Sequence, residues 1–382
     1  MKKIAVITSG LLPMPAVKDG AIETLLQYVL DYNEINFNYQ FDVYSIYNQC
    51  AYSESKKYKR TNFYYITINQ FLLRISTFVF KVLRKLKIIS DPNFQFEFIR
   101  KVYNKMKMYN YDYIIVESEN HFAKYLLKKG FKNVILYLHN DKLNAKIKNA
   151  DFILENALEI WTVSEYLKDC VITINPSLET KVKVILNGID IYPFQCIKKE
   201  KHDGVNYLYV GRIEESKGVL ELIKAFNKLN DSSASLYIAG GSFHSSSKKT
   251  KYLKKVIIEA SKGKNIYFLG HVPHNKLSEI YSIIDVQIVP SVWQEPAGLV
   301  NIEAISSGVK LIASDVGGIK EYVDDHTTLV KYDCNFIYNL YEAMKNKDSN
   351  DSYDERKFNI NYYSKDNYSK RVINQIKKLE EK

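Results

Sequence analysis

Cysteine is scarce in this chain. Four residues in 382 (Cys50, Cys170, Cys196 and Cys334) lie far apart, in no CxxC or Cys/His spacing. That excludes a disulfide framework and a cysteine-held metal centre, and it fits reduced thiols. Long apolar runs are also missing. The closest, Phe71 to Leu86, is broken by Arg74, Lys81, Arg84 and Lys85, so no membrane span is expected. Lys2-Lys3 precedes only a short apolar run, Ile4 to Thr8, which reads as a first strand rather than a secretory leader. No GxGxxG follows that strand, which argues against NAD-type binding. Negative charge is in deficit, with a formal net charge of +11. Anionic partners are favoured: nucleotide diphosphates, acidic lipid headgroups or nucleic acid. Nucleic acid is not expected, because the 31 tyrosines are scattered and no recognised motif accompanies them.

What is present is an alternation of strands and helices. Strands are predicted at Lys3–Thr8, Phe41–Tyr47, Phe63–Thr67, Tyr113–Glu117, Asn133–His139, Trp161–Ser164 and Val182–Leu186. Helices fit between them, including Ile22–Asn33, Phe71–Lys87, Asn93–Lys107, His121–Lys129 and Asp141–Asn149. A polar stretch from Asn187 to about Gly204 reads as a linker. A second run begins at Asn206–Val210, with further strands at Ser235–Ala239, Ile266–Leu269 and Val286–Val289. Polar loops are read at Gly241–Lys249 and Asp348–Asp354. Such alternation predicts an α/β protein of two doubly wound units, and the length suits two or three domains.

The most informative stretch is Glu295-Pro296-Ala297-Gly298-Leu299-Val300-Asn301-Ile302-Glu303. A buried strand, Val286–Val289, precedes it and stops at Pro290. A short helix ended by Gly308 follows. One acid therefore sits near the strand's C-terminal edge and the other within a helix. Open α/β sheets bind ligands at that edge, and a helix N-terminus there suits a phosphate.

This segment, continued through Leu311-Ile312-Ala313-Ser314-Asp315-Val316-Gly317-Gly318-Ile319-Lys320-Glu321, resembles the signature of retaining GT-B glycosyltransferases of family 4 (glycosyl transferases group 1). Tyr209-Val210-Gly211-Arg212 with Lys217-Gly218 resembles the family's diphosphate-binding Arg and Lys. Phe268-Leu269-Gly270-His271-Val272 resembles the strand and turn that hold the base, and Val184 to Asp190 resembles the hinge. The blocks cover most of residues 160–325. The resemblance implies two Rossmann-like domains facing a central cleft. Residues 1–190 would bind acceptor, with helix 362–382 packing back on them, and residues 191–361 would bind the nucleotide-sugar donor.

Two cations near a diphosphate stabilise the charge that builds as the glycosidic bond breaks. The resemblance gives Arg212 and Lys217 that role. It gives Glu303 the ribose, and Glu295 the donor sugar's hydroxyls near the anomeric centre. Backbone N–H groups of Gly298, Leu299 and Val300 are expected at the sugar or β-phosphate. Ala297 stands where the family commonly has an aromatic residue, which reshapes the sugar pocket. Gly20, after Asp19, resembles a Gly-rich loop facing the diphosphate, and Val272 lies at the base. His139, after an apolar strand, matches a family histidine that contacts the sugar or relays the acceptor's proton. Glu117 and Asn120 are candidates for the acceptor side. No Asp-x-Asp occurs, so no metal or other cofactor is expected.

Helix 71–87 places Phe71, Leu72, Ile75, Phe78, Val79, Val82, Leu83 and Leu86 on one face and basic residues on the rest. It reads either as an ordinary amphipathic helix on the sheet or as a contact with an anionic membrane surface. The expected partners are a nucleotide-sugar donor, UDP-linked first, and a glycan or lipid-linked acceptor. The expected setting is cell-surface glycan assembly of the polysaccharide, lipopolysaccharide or teichoic type. The expected location is the cytoplasm, with the inner membrane face as a peripheral site. The rival reading is a non-catalytic GT-B partner subunit or glycan-binding protein.

Overall fold

The computed structural model describes residues 1–18, 20–68, 93–241, 251–346 and 359–381. The predicted helix 71–87, Asp19, and most of the polar stretches 241–249 and 348–354 lie outside them. The chain divides into two compact units: Met1–Leu186 with Lys365–Lys382, and Asn187–Ser364.

The first unit carries strands β1 (Lys3–Ile7), β2 (Gln40–Ile46), β3 (Thr61–Ile66), β4 (Tyr113–Glu117), β5 (Val134–Leu138), β6 (Glu159–Thr162) and β7 (Val182–Val184). They form one sheet in the order β3-β2-β1-β4-β5-β6-β7, with every pairing parallel. Helices α1 (Ala21–Asn36), α2 (Gln49–Ser55), α3 (Asn93–Met106), α4 (Asn120–Lys128), α5 (Ala150–Asn156) and α6 (Glu165–Ile172) connect them. Strands covered on both faces read as unbroken apolar runs, and Ile4 to Ile7 and Val134 to Leu136 are fully buried.

The predicted helix at 141–149 does not form. That segment is a chain of turns, and the helix starts at Ala150. The reason is local. Asn140 Oδ1 accepts from the Lys142 N–H, Asn144 Oδ1 accepts from Lys146, and Asn149 is left-handed with φ 65°. Asparagine side chains here satisfy the backbone in turn geometry before a helix can. The helix Lys365–Glu380 belongs to this unit. Gln375 donates to Glu159 Oε2 at 2.8 Å, and Arg371 donates to the Leu186 carbonyl at 2.8 Å.

The second unit carries β8 (Val205–Val210), β9 (Ala234–Ala239), β10 (Ile266–Gly270), β11 (Val286–Val289), β12 (Lys310–Ser314) and β13 (Thr328–Val330). Their order is β10-β9-β8-β11-β12-β13, again all parallel. Its helices are α7 (Tyr192–Gln195), α8 (Val219–Leu229), α9 (Lys251–Ala260), α10 (His274–Tyr281), α11 (Leu299–Ser306) and α12 (Phe336–Lys345). Both sheets are doubly wound. The strand order reverses between β1 and β4 in one unit and between β8 and β11 in the other. Open α/β sheets bind ligands beside the C-terminal ends of the strands at such a reversal point. Among the described residues no helix is long and apolar enough to cross a membrane.

Candidate active site

In the second unit the loops after β8 and β11 meet across the reversal point. Lys217, after β8, reaches Glu295, after β11, with Nζ 2.5 Å from Oε1. The Ser291 hydroxyl donates to the same oxygen at 2.5 Å. The Lys217 ammonium also lies 5.6 Å from the centre of the Trp293 ring. Glu295 is 7% exposed and the Lys217 side chain 21%. The cation and the hydroxyl give this buried carboxylate the partners that water would otherwise supply.

Two glycines let these loops close on each other. Gly218 has φ +66°, and a methyl group there would lie 1.8 Å from the Pro290 carbonyl oxygen. Beside it, the Val292 N–H donates to the Ser216 carbonyl at 3.0 Å. Gly317, with φ +56°, packs on the Glu295 backbone, where a methyl group would sit 2.3 Å from the carbonyl oxygen. The Gly318 N–H donates to that carbonyl at 2.7 Å, and the Gly317 N–H donates to Gln294 Oε1 at 2.6 Å. Glu295 is thus fixed through its backbone as well as its side chain.

The other predicted residues of this unit lie on the loops after β8 and β10, on α11 and in the loop before it. Gly298 caps α11, and Leu299 and Val300 are its first two helical residues. Their N–H groups point out of the helix end, where an α-helix leaves its first donors unsatisfied. Ala297 is half-buried in the loop before the cap. Glu303, 4% exposed, projects from α11. Its Oε1 lies 2.9 Å from His274 Nε2, and its Oε2 is buried with no partner among the described residues. Val272 is half-buried in the turn between β10 and α10. Arg212 follows β8, pairs with Glu214 at 2.9 Å and is 45% exposed. So Lys217 and Glu295 are in direct contact, while Arg212 and Glu303 each hold a different partner.

In the first unit, β4 and β5 end beside each other at Glu117 and Leu138, and His139 follows. His139 Nε2 lies 3.0 Å from Glu117 Oε2, and both side chains are buried. His139 Nδ1 is buried without a partner among the described residues, and the ring sits 4.4 Å from that of Tyr137. Gly20 caps α1, and a methyl group on it would lie 2.3 Å from Glu23 Oε2. Glu23 is buried on the first turn of α1. Burial, with the nearby Glu117 charge adding to it, raises its carboxyl above the ordinary carboxylate range. Asn120 opens α4, and its amide donates to the Lys142 carbonyl at 2.6 Å.

The sequence pattern of glycosyl transferases group 1 matches residues 195–357, nearly all of the second unit. YtcC of Bacillus subtilis (strain 168) is 26% identical over 348 residues, spanning 85% of this chain and 78% of that one. A lipopolysaccharide 1,2-N-acetylglucosaminetransferase of Salmonella typhimurium (strain LT2) is 35% identical over 130 residues, 33% of this chain and 34% of that one. Among solved structures, Anabaena HepE in complex with UDP and glucose superposes with a TM-score of 0.71 at 15% identity, covering 99% of this chain and 100% of that one. Residues 195–357 form a group 1 glycosyltransferase domain. The chain is an enzyme of the hexosyltransferase type, built on the two-domain GT-B fold.

Sequence reasoning about this glycosyltransferase passed over several of its contacts. His274, Ser291, Trp293 and Glu214 hold the four predicted side chains of the second unit, yet none was singled out. Pro273-His274 at the start of α10 was the available signal, since proline commonly precedes a helix. Glu23 was also missed: an acid in a first helical turn is common and complements the helix dipole, so its burial left no mark in the sequence. It carries a testable consequence. A raised carboxyl favours folding below its ordinary value of 4.5 and loses that contribution as pH climbs through the raised value. Glu23→Gln is therefore expected to gain melting temperature over the parent enzyme as pH rises above 4.5. A constant difference across that rise would contradict the buried-acid assignment.

Proposed function

We propose that this glycosyltransferase moves a hexosyl unit from a nucleotide-diphosphate sugar, UDP-linked first, to a hydroxyl of a glycan or lipid-linked acceptor. The observation that carries the reading is the Lys217–Glu295 contact at the reversal point of the second sheet. One group suits the diphosphate and its neighbour suits the sugar. Lys217, with Arg212 on the same loop, would stabilise the charge that accumulates on the leaving diphosphate. The N-terminus of α11 adds N–H donors for a phosphate or sugar oxygen. Glu295 would accept from the donor sugar's hydroxyls and favour the positive charge that develops at the anomeric carbon. Glu303 would accept from ribose hydroxyls through its unpartnered Oε2, and the turn at Val272 would face the base.

Transfer would retain anomeric configuration. The glycosidic bond to phosphate breaks, the acceptor hydroxyl attacks from the same face, and the departing phosphate takes its proton. In the first unit, His139 with Glu117 would hydrogen-bond a sugar hydroxyl, and Asn120 would line the acceptor side. The similarity to a lipopolysaccharide transferase supports a surface-glycan acceptor. The charge of +11 supports peripheral association with an anionic membrane face from the cytoplasmic side. HepE, solved with UDP and glucose, supports a UDP-sugar donor.

The test is release of nucleoside diphosphate from UDP-, GDP- and ADP-sugars, with and without lipid-linked glycan acceptors. One donor is expected to give acceptor-dependent release, with the product's anomeric configuration unchanged by NMR. Silence across all three would oppose the reading. Because protein cations serve the diphosphate, turnover is expected to persist in excess EDTA. Loss of turnover restored by Mg²⁺ or Mn²⁺ would contradict the metal-free scheme.

A further inference from the structure

We propose that His274 is a positioning residue for Glu303: it fixes one carboxylate oxygen so that the other faces the ribose hydroxyls of the donor nucleotide. The inference rests on the donor-site reading of Glu303. An ionised carboxylate can only accept, so His274 Nε2 must carry the proton in its 2.9 Å bond to Oε1. That bond uses Oε1 and leaves Oε2 buried without a partner among the described residues. An unpaired buried carboxylate oxygen is costly, and such a cost persists where a ligand supplies the missing donor.

The imidazole is itself held in place. His274 opens α10, directly after the capping Pro273. Its ring meets the edge of Phe194, 5.7 Å away at 72°. Phe194 is buried and packs on Tyr281 at 5.6 Å. The Tyr281 hydroxyl donates to Gln287, whose amide donates to the Val300 carbonyl at 2.9 Å. The ring that orients Glu303 is therefore tied through α7, α10 and β11 to the first turn of α11, the helix that carries Glu303. Yet the His274 side chain is 48% exposed. A pair with one member in water adds little to stability, so its evident effect is on where the buried carboxylate points.

The experiment measures binding of UDP, GDP and ADP by calorimetry, then repeats the tightest as its 2′,3′-dideoxy analogue. For His274→Ala, affinity for the ribonucleotide is expected to fall about tenfold, while affinity for the dideoxy analogue stays unchanged. His274→Gln, with an amide N–H able to take the place of Nε2, is expected to keep most of the discrimination. Equal losses on both ligands, or no loss on either, overturn the positioning role. A Gln variant indistinguishable from the Ala variant overturns the hydrogen bond as its basis. If the unsubstituted enzyme binds none of the three nucleotides, the donor-site reading falls and this inference with it.

Discussion

Lys217→Ala is expected to lower kcat/KM by on the order of 100- to 1,000-fold and to weaken nucleoside diphosphate binding in the same variant. Two effects combine. The diphosphate loses a fixed cation that faces it before and during bond cleavage. Glu295, 7% exposed, loses its ion pair and among the described residues keeps the Ser291 hydroxyl as its side-chain partner. Removing one member of a buried pair leaves the other uncompensated, so melting temperature should fall as well. Lys217→Arg does not restore the site fully, because a planar fork cannot occupy the space of a compact ammonium beside Trp293. Arg212→Ala is expected to do less. Its guanidinium is half exposed and shared with Glu214, so solvent screens much of what it offers. Steady-state kinetics on the three variants checks the order. An Arg212→Ala effect larger than that of Lys217→Ala would contradict it.

Glu295→Gln is expected to separate binding from turnover. Turnover should fall about 100-fold, because a neutral amide cannot stabilise positive charge at the anomeric carbon. Nucleoside diphosphate without sugar should bind several-fold tighter. In the resting enzyme Lys217 is bonded to Glu295, and an arriving diphosphate must displace that carboxylate. The amide keeps the shape and the Ser291 contact but competes far less for the ammonium. Weaker diphosphate binding by Glu295→Gln would mean that the lysine is not the diphosphate's partner. Unchanged turnover would mean that Glu295 does not face the sugar.

Strands such as β1, β4, β5 and β11 were legible because they are buried on both faces and so appear as unbroken runs, as in Val134-Ile135-Leu136-Tyr137-Leu138. The strands β12 and β13 were not read as strands. β13 is three residues long at a sheet edge, too short for any periodicity to register. The misread helix at 141–149 has Leu143 and Ile147 four residues apart, but three asparagines, Asn140, Asn144 and Asn149, divert its backbone into turns. In the site, the residues of the motif could be named from sequence, yet their partners could not. Lys217 and Glu295 lie 78 residues apart. Their contact depends on two loop closures, at Gly218 and at Gly317, that only the folded chain displays. Glu214 and His274 likewise become partners of Arg212 and Glu303 through backbone placement after β8 and β10. No spacing in the chain announces either pairing.

The central claim is that the loops after β8 and β11 form the diphosphate site. Calorimetric titration of the enzyme and of Lys217→Ala with UDP, GDP and ADP tests it most directly. The account predicts that at least one of these binds the unsubstituted enzyme and binds the variant at least about tenfold more weakly. Equal affinity for a nucleotide in both proteins, or no binding by either, would contradict it.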